Sequence, residues 1–378
     1  MSKDAISTVD LSAICSAISQ NSAAVDQNYE FPRKSIDALA TSGLLGLLVP
    51  KRFGGMEADA KTFAETAHKV GAACASSGMI FVMHSCAIET LTKHWSHAEG
   101  VLKAAARGEH LSTLACSERG TGANFYASFS SSAQQGDEFI LNADKCFVTS
   151  GGQADSYVVS TQAVGSEDVV NTSLYVVQKD DKNASFEGEW RGLGLRGNSS
   201  VALKLQDCRV GQDRLVGNQG QGLEIEMGTI LPRFLLGTSG VYNGIAEAAL
   251  GATVAHAKGR KLSHTGDALS LLPVLRSKIA TMRIAVDASV AFMNVAAEAL
   301  QRGDAHALVL LLQAKQLACW TSTEVAGLAM ECCGGIAFSG ALSVDRHFRD
   351  AQAGLVMAPS NDMLLDLVGR ACLDLPLM

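Results

Sequence analysis

The sequence predicts a multidomain α+β chain that is mainly α, and three observations predict it. Apolar residues recur every three or four positions from Asp10 to about Arg107. Short alternating runs crowd between residues 112 and 217. Long helical periodicity returns after Gly222. Helix and strand that stay segregated along the chain argue for α+β or separate domains and against an alternating parallel sheet. The expected boundaries are a helical segment 1–111, a β domain 112–217 and a helical segment 218–378.

In the first segment Ile14, Ile18, Leu39, Leu44, Leu45 and Leu47 read as helix faces. Lys51–Met56 holds two glycines and reads as a loop, and helical character resumes at Ala60. Val70 to Ile88 is the longest stretch without Asp, Glu, Lys or Arg, but it contains Ser76, Ser77, Gly78, His84 and Ser85. A membrane helix needs about 20 predominantly apolar residues, so this stretch reads as a buried helix-turn-helix. In the middle segment Ser128–Ala133, Phe139–Leu141, Cys146–Thr149, Ser156–Ser160, Ser173–Val177 and Val201–Leu205 read as strands separated by Gly, Asn and Asp. In the last segment Ile279, Met282, Val286 and Val290 share a helix face. Leu308–Leu312 is apolar all round, as in a helix buried between others. Some of these faces are expected to seal an oligomer interface.

Composition narrows the function. Of 378 residues, 47% are hydrophobic and 18% charged, enough apolar material for a large core. A net charge of −7 gives no electrostatic reason to bind nucleic acid, and no basic block marks a membrane surface. The opening MSKDAISTVDLSAIC carries Asp4 and Asp10 and no positive leader before an apolar run, unlike a secretory signal. None of the ten cysteines sits in a CxxC pair, and Cys332 and Cys333 are adjacent. They read as small buried hydrophobes in a reducing, cytoplasmic compartment. No GxGxxG opens a βαβ unit, so a Rossmann dinucleotide site is not expected.

Four stretches carry chemistry. Leu114-Ala-Cys-Ser-Glu-Arg-Gly-Thr-Gly-Ala-Asn124 ends a strand in a Gly-rich, hydroxyl-bearing turn, where backbone N–H groups can approach an anion or a heteroaromatic edge. In Lys145-Cys-Phe-Val-Thr-Ser-Gly-Gly152, Phe147 and Thr149 stand two apart, which on a regular strand puts ring and hydroxyl on one face. Gly192-Leu-Gly-Leu-Arg-Gly-Asn-Ser-Ser200 precedes a strand. Cys333-Gly-Gly-Ile-Ala-Phe338 is followed by Val344-Asp-Arg-His-Phe-Arg-Asp350.

In this order and spacing the four stretches resemble the acyl-CoA dehydrogenase family. The matching residues are Ser117-Glu118-Arg119-Gly120-Thr121-Gly122, Phe147-Val148-Thr149-Ser150, Leu195-Arg196-Gly197-Asn198-Ser199, Gly334-Gly335 and Arg349-Asp350-Ala351. The resemblance covers nearly the whole chain. It implies an N-terminal helical domain, a middle β domain and a C-terminal four-helix bundle, with FAD between the last two, in a homo-oligomer (dimer or tetramer) whose neighbouring subunit completes the FAD site. It assigns Leu114, Cys116 and Ser117 to the strand end at the flavin edge, Gly122 to the turn beyond, Phe147 to the isoalloxazine face and Thr149 to the neighbourhood of N5. It assigns Arg260 to FAD of another subunit, and Glu331, Gly334, Gly335, Ser360 and Asp362 to further FAD positions. Arg233 falls beside the substrate thioester.

The pattern breaks at the base. The family's usual glutamate, which removes the α-proton, falls at Ala358. An alternative position, just before Arg233, is Pro232. Glu324, Glu331 and His84 are not marked as replacements, and His84 reads as a satisfied core residue. Ala123 stands where a serine often touches the FAD pyrophosphate, leaving Thr121 as a substitute. The stretch Ala358-Pro359-Ser360-Asn361-Asp362 and the tail Asp374-Leu-Pro-Leu377 resemble members that help build hydroxy-, methoxy- or aminomalonyl units on an acyl carrier protein. The resemblance therefore implies an FAD oxidoreductase acting on an acyl thioester, with a carrier-protein-bound hydroxyacyl or aminoacyl group expected in place of an acyl-CoA, and an external electron acceptor. An acyl-CoA dehydrogenase with a relocated base, a flavin-dependent monooxygenase and a non-catalytic flavoprotein stay open as alternatives.

Overall fold

In a computed structural model, residues 9–377 are described; the opening residues, on which the reading of a missing leader rests, lie outside them. The N-terminal elements are helices α1 (Leu11–Asn28), α2 (Arg33–Thr41), α3 (Ala60–Ala73), α4 (Ala75–His94) and α5 (Glu99–Ala106). Eight strands follow: β1 (Ser112–Ala115), β2 (Ser131–Gln135), β3 (Glu138–Val148), β4 (Ser156–Gln162), β5 (Thr172–Gln178), β6 (Ala184–Glu187), β7 (Val201–Gly211) and β8 (Leu215–Val216). The chain then returns to helix in α6 (Gly222–Ile225), α7 (Leu231–Gly259), α8 (Pro273–Arg302), α9 (Ala307–Cys333), α10 (Gly335–Phe338), α11 (Val344–Val356) and α12 (Asn361–Cys372). The helix–strand–helix order is the one the sequence predicts.

Two details differ. Leu44, Leu45 and Leu47 are buried, but α2 has ended at Thr41 and Leu44–Gly46 forms a tight 3₁₀ turn after Gly43, whose φ of 77° breaks the helix. Their helical spacing reflects burial alone. The two runs Phe139–Leu141 and Cys146–Thr149 are one long strand, β3, with register shifts at Leu141/Ala143 and Lys145/Val148. Bulges interrupt the alternation without ending the strand.

The strands form two four-stranded sheets, ordered β1-β4-β5-β8 and β2-β3-β7-β6. Strand β1 pairs with β4 in parallel, and the other pairings are antiparallel. Strands β4 and β5 are buried almost throughout, so they read as apolar runs without clean alternation.

The chain divides into two compact units. One comprises the residues up to Phe63, Met79–Arg191 and Arg196–Phe234. In it His84 is fixed on both ring nitrogens: Ser112 N donates to Nδ1 (3.0 Å), so Nε2 carries the proton toward the Leu45 carbonyl (2.8 Å). Burial pushes this imidazole down to about 4, which keeps it neutral and structural.

The other unit comprises Ala64–Gly78, Gly192–Leu195 and the chain from Leu235. Here α3 and α7 meet through glycines. A Cβ at Gly244 would stand 2.3 Å from the His68 carbonyl oxygen, and one at Gly71 2.8 Å from Val241 Cα, so side chains at these points would force the helices apart. Asp350 accepts a hydrogen bond from Leu195 N (2.7 Å), holding the Gly-rich segment 192–195 against α11. Helix α8 buries Met282 and Val286 but exposes Val274, Ile284 and Val295.

Candidate active site

In the first unit, strand β1 runs into the turn Cys116–Gly122, and a buried ion pair builds that turn. Lys145, fully buried on β3, places Nζ 2.6 Å from Glu118 Oε1 and within 3.3 Å of the Cys116 carbonyl, Ser128 Oγ and Ser160 Oγ. Glu118 also accepts from Ser128 Oγ, Ser130 Oγ and the backbone N–H of Phe129. Burial alone would raise the Glu118 carboxyl, but the Lys145 charge and these donors reverse it and hold it at about 2. Leu114 and Cys116 are buried at the strand end, and Ser117 is half-buried with its carbonyl taken by Cys146 N (2.9 Å). Gly122 follows with a φ of 60°, and a Cβ there would meet no heavy atom within 4 Å. Thr121 turns its hydroxyl inward to the Glu118 carbonyl (3.2 Å), so it is engaged within the turn.

Phe147 and Thr149 do not share a face. The bulge between Lys145 and Val148, with Phe147 itself at a φ of 54°, breaks the alternation. Phe147 swings out to 67% exposure and meets Trp190 edge-on at 6.4 Å, whereas Thr149 is buried, 3.5 Å from Ser200 Oγ. Left-handed backbone outside glycine is costly and clusters at functional sites. Here it occurs at Phe147 and Ser150 on one stretch and at Ser199 on another, and Ser150 N reaches across to the Asn198 carbonyl (2.8 Å).

The helix beyond β8 adds a second group of charges to the same unit. Helix α6 passes into α7 through a π-turn, Glu226–Ile230. Arg233, on the first turn of α7, grips the Glu89 carboxylate of α4 through Nε and Nη2, the second at 3.0 Å. Its guanidinium lies 5.1 Å from the Phe63 ring centre, and its Nη1 is buried with no hydrogen-bond partner among the described residues. Burial raises the Glu89 carboxyl, and Arg233 with Lys93 more than reverses that, leaving it ionised. Glu226 is buried completely, and neither carboxyl oxygen has a hydrogen-bond partner among the described residues. Sequence reading singled out neither Glu89 nor Glu226, because helical spacing alone cannot show that a carboxylate faces inward.

In the second unit, Gly334 and Gly335 join α9 to α10. Gly334 has a φ of 58°, and a Cβ on either would meet nothing within 4 Å. Glu331 is exposed and pairs with Lys278 of α8 (2.5 Å), and Glu324 lies on the same helix as Glu331. Arg260 is exposed just past α7. Ser360 caps α12, its Oγ accepting from Met363 N (3.5 Å), and Asp362 sits in that helix's first turn. At the position of the missing glutamate, Ala358 is flanked by two carbonyls that share one buried cation. Lys315 of α9 donates to Met357 O (3.1 Å) and Pro359 O (2.7 Å). A lysine close behind the apolar run Leu308–Leu312 was the sequence signal for this anchor.

Three domain matches decide the family: the acyl-CoA dehydrogenase N-terminal domain at residues 13–109, the middle domain at 113–208 and the C-terminal domain at 220–373. The chain belongs to the acyl-CoA dehydrogenase family. A probable acyl-CoA dehydrogenase of Mycobacterium tuberculosis is 28% identical over 359 residues, 94% of this chain and 91% of that protein. Butyryl-CoA dehydrogenase from Megasphaera elsdenii superposes with a TM-score of 0.91 at 22% identity, covering 98% of each chain. FkbI, described as serving biosynthesis of the methoxymalonyl extender unit of the FK520 polyketide, superposes with a TM-score of 0.86 at 22% identity, covering 97% of this chain and 99% of its own. At these identities the two structures speak for the fold alone.

Members of this family are FAD-dependent dehydrogenases acting on acyl thioesters, and this chain is such an enzyme. Its residues fit the cofactor in each unit taken by itself. The first offers an exposed aromatic plane at Phe147, strained backbone beside it and a glycine turn open at Gly122. The second offers the open Gly334-Gly335 step.

Proposed function

We propose that this flavin dehydrogenase oxidises an acyl thioester whose reacting carbon bears oxygen or nitrogen, a hydroxyacyl or aminoacyl group presented on an acyl carrier protein. The observation that carries the reading is the pair Ala358 and Pro232. Neither position that the family uses for a carbon-acid base holds a carboxylate. The Ala358 segment is instead pinned through its flanking carbonyls by Lys315, an arrangement that takes no proton from a substrate. A carbon bearing O–H or N–H gives up its C–H hydrogen as hydride while the heteroatom loses the proton, so no α-C–H has to be deprotonated and the usual carbon-acid base is dispensable.

Bound FAD supplies the hydride acceptor. The protein's own part is positioning. Phe147 would pack on the ring, Leu114, Cys116, Ser117 and Gly122 would line the strand end and turn beside it, and Thr149 would stand near N5. Arg260, Glu331, Gly334, Gly335, Ser360 and Asp362 would serve the rest of the cofactor. Arg233, held by Glu89 with Nη1 left free, would direct one N–H at the thioester end of the substrate. The exposed apolar residues Val274, Ile284 and Val295 of α8 suit a homo-oligomer, and the reduced cofactor needs an external electron acceptor.

The test is an anaerobic half-reaction. Loss of flavin absorbance is followed after mixing with a saturated acyl-CoA and, separately, with a hydroxyacyl or seryl thioester on a carrier protein. The carrier-bound thioester should bleach the flavin and the saturated acyl-CoA should not. Rapid bleaching by the acyl-CoA would overturn the reading. Silence with both would favour a monooxygenase that receives reduced flavin from elsewhere, or a protein that has lost the chemistry.

A further inference from the structure

Phe147 offers FAD an aromatic plane, but its residue type does not fix how that plane is turned. A phenylalanine ring that is 67% exposed can rotate about its side-chain bonds. Its backbone, by contrast, is fixed. The bulge between Lys145 and Val148 leaves it at a φ of 54°. Just beyond it, Ser150 N and Gly151 N donate to the carbonyls of Asn198 (2.8 Å) and Ser199 (3.0 Å). Against the ring stands Trp190, edge-on, with ring centres 6.4 Å apart and planes at 84°. A perpendicular aromatic pair is a preferred arrangement, favourable beyond the area it buries, and it restricts the ring's rotation.

Trp190 is itself held on both flanks. Four residues earlier, Phe186 of β6 packs on the fully buried Tyr157 ring of β4 at 4.8 Å. One residue later, Arg191 places its guanidinium 4.9 Å from the centre of the Tyr29 ring, at the end of α1, and pairs with Glu189 (2.8 Å). The same tyrosine ring carries the Arg196 guanidinium at 4.6 Å. The stretch that follows the turn at Gly188 (φ 86°) is therefore tied to β4 on one side of the indole and to α1 on the other.

We infer that Trp190 is a positioning residue for the cofactor, which sets the plane that the Phe147 ring presents to the isoalloxazine; this rests on the placement of Phe147 against FAD in the proposed function. The indole holds the phenyl ring in one orientation before the cofactor arrives, so less rotational freedom is lost on binding. Trp190 acts through Phe147 and moves neither proton nor electron. The consequence is a coupling between the two residues: Trp190 matters to FAD only while Phe147 is present.

The experiment titrates the full chain, freed of cofactor, with FAD and records the visible circular dichroism of the bound flavin. It compares wild type, Trp190→Leu, Trp190→Phe, Phe147→Ala and the double variant Trp190→Leu/Phe147→Ala. Leucine keeps apolar bulk at the position without a ring, and phenylalanine keeps a ring. Trp190→Leu should weaken FAD binding about 3–10-fold and alter the flavin's dichroism. Trp190→Phe should recover most of both. In the Phe147→Ala background, Trp190→Leu should change neither. If Phe147→Ala alone weakens binding and Trp190→Leu weakens it further by its full single-variant factor, Trp190 acts apart from Phe147; the inference is overturned and the placement of Phe147 stands. The inference is likewise overturned if Trp190→Leu lowers only the melting temperature and leaves affinity and dichroism as in wild type, the result of a merely structural role. If Phe147→Ala itself binds FAD with wild-type affinity and dichroism, the placement of Phe147 on the flavin fails and the inference falls with it. The titration contains no thioester, so the proposed substrate is judged separately by the half-reaction.

Discussion

Glu118 and Glu226 are both buried in the same unit, and their surroundings differ in one respect. Glu118 meets a lysine, two serine hydroxyls and a backbone N–H. Glu226 meets the Cys116 thiol and feels the Lys145 charge, and burial outweighs both. The first carboxyl is held at about 2 and the second driven to about 8, although each starts from 4.5. A carboxylate saturated with donors fixes backbone, here the turn Cys116–Gly122. One left without donors keeps its capacity to exchange a proton. Burial is common to both, so the partners decide the role.

The sharpest way to break the comparison is to convert the first site into the second. Lys145→Met strands an ionised Glu118 in the interior and should lower stability by about 3–5 kcal/mol, seen as a drop in the denaturation midpoint. Adding Glu118→Gln should recover part of that loss, because the uncompensated charge is gone. A smaller effect is expected at the second ion pair. Glu89→Gln removes the carboxylate from Arg233 and should cost about 2–3 kcal/mol. It should also raise the substrate concentration needed for half-maximal flavin reduction, since Arg233 loses its orientation.

The two carboxyls also predict opposite pH dependences of stability, read as Tm across pH against the matching glutamine variants. Glu118 has its folded value depressed from 4.5 to about 2, so its contribution is full above 4.5 and lost as pH falls toward 2. Glu226 has its folded value raised from 4.5 to about 8, so its favourable contribution is full below 4.5 and declines as pH rises to 8. Accordingly Glu226→Gln should gain stability relative to wild type on going from acid to alkaline solution, and Glu118→Gln should lose its disadvantage in acid. A flat difference for Glu226→Gln between 4.5 and 8 would show that its carboxyl is not held neutral.

The smallest predicted effect sharpens the assignment at α12. Ser360→Ala removes the N-cap and should cost about 1 kcal/mol. A loss of FAD affinity larger than that cost explains, measured by cofactor titration, would show that Ser360 serves the cofactor as well as the helix.

Much of the fold was legible because periodicity survives burial. The segregated order of helix, strand and helix could be read from spacing and turn residues, and Ala60 was correctly read as a helix start. What failed did so for local reasons. Leu44, Leu45 and Leu47 are spaced like a helix because a 3₁₀ turn also points neighbouring residues inward. Phe147 and Thr149 were placed on one face because alternation is the default for a strand, and a bulge leaves no mark in composition. At the site, the motif residues stood out as Gly-rich and hydroxyl-rich stretches, whereas Glu89, Glu226 and Lys315 are single charged residues in helical sequence.

The sequence by itself determined the order of the elements, the family and with it the cofactor, and the absence of carboxylates at positions 232 and 358. Those follow from residue type and near-neighbour spacing. Only the tertiary structure decided which groups meet: Lys145 with Glu118, Arg233 with Glu89, Lys315 with the carbonyls around Ala358, and Glu226 with the Cys116 thiol. A carboxylate's state depends on the groups within a few ångströms of it, and those groups come from segments as far apart in the chain as Glu89 and Arg233.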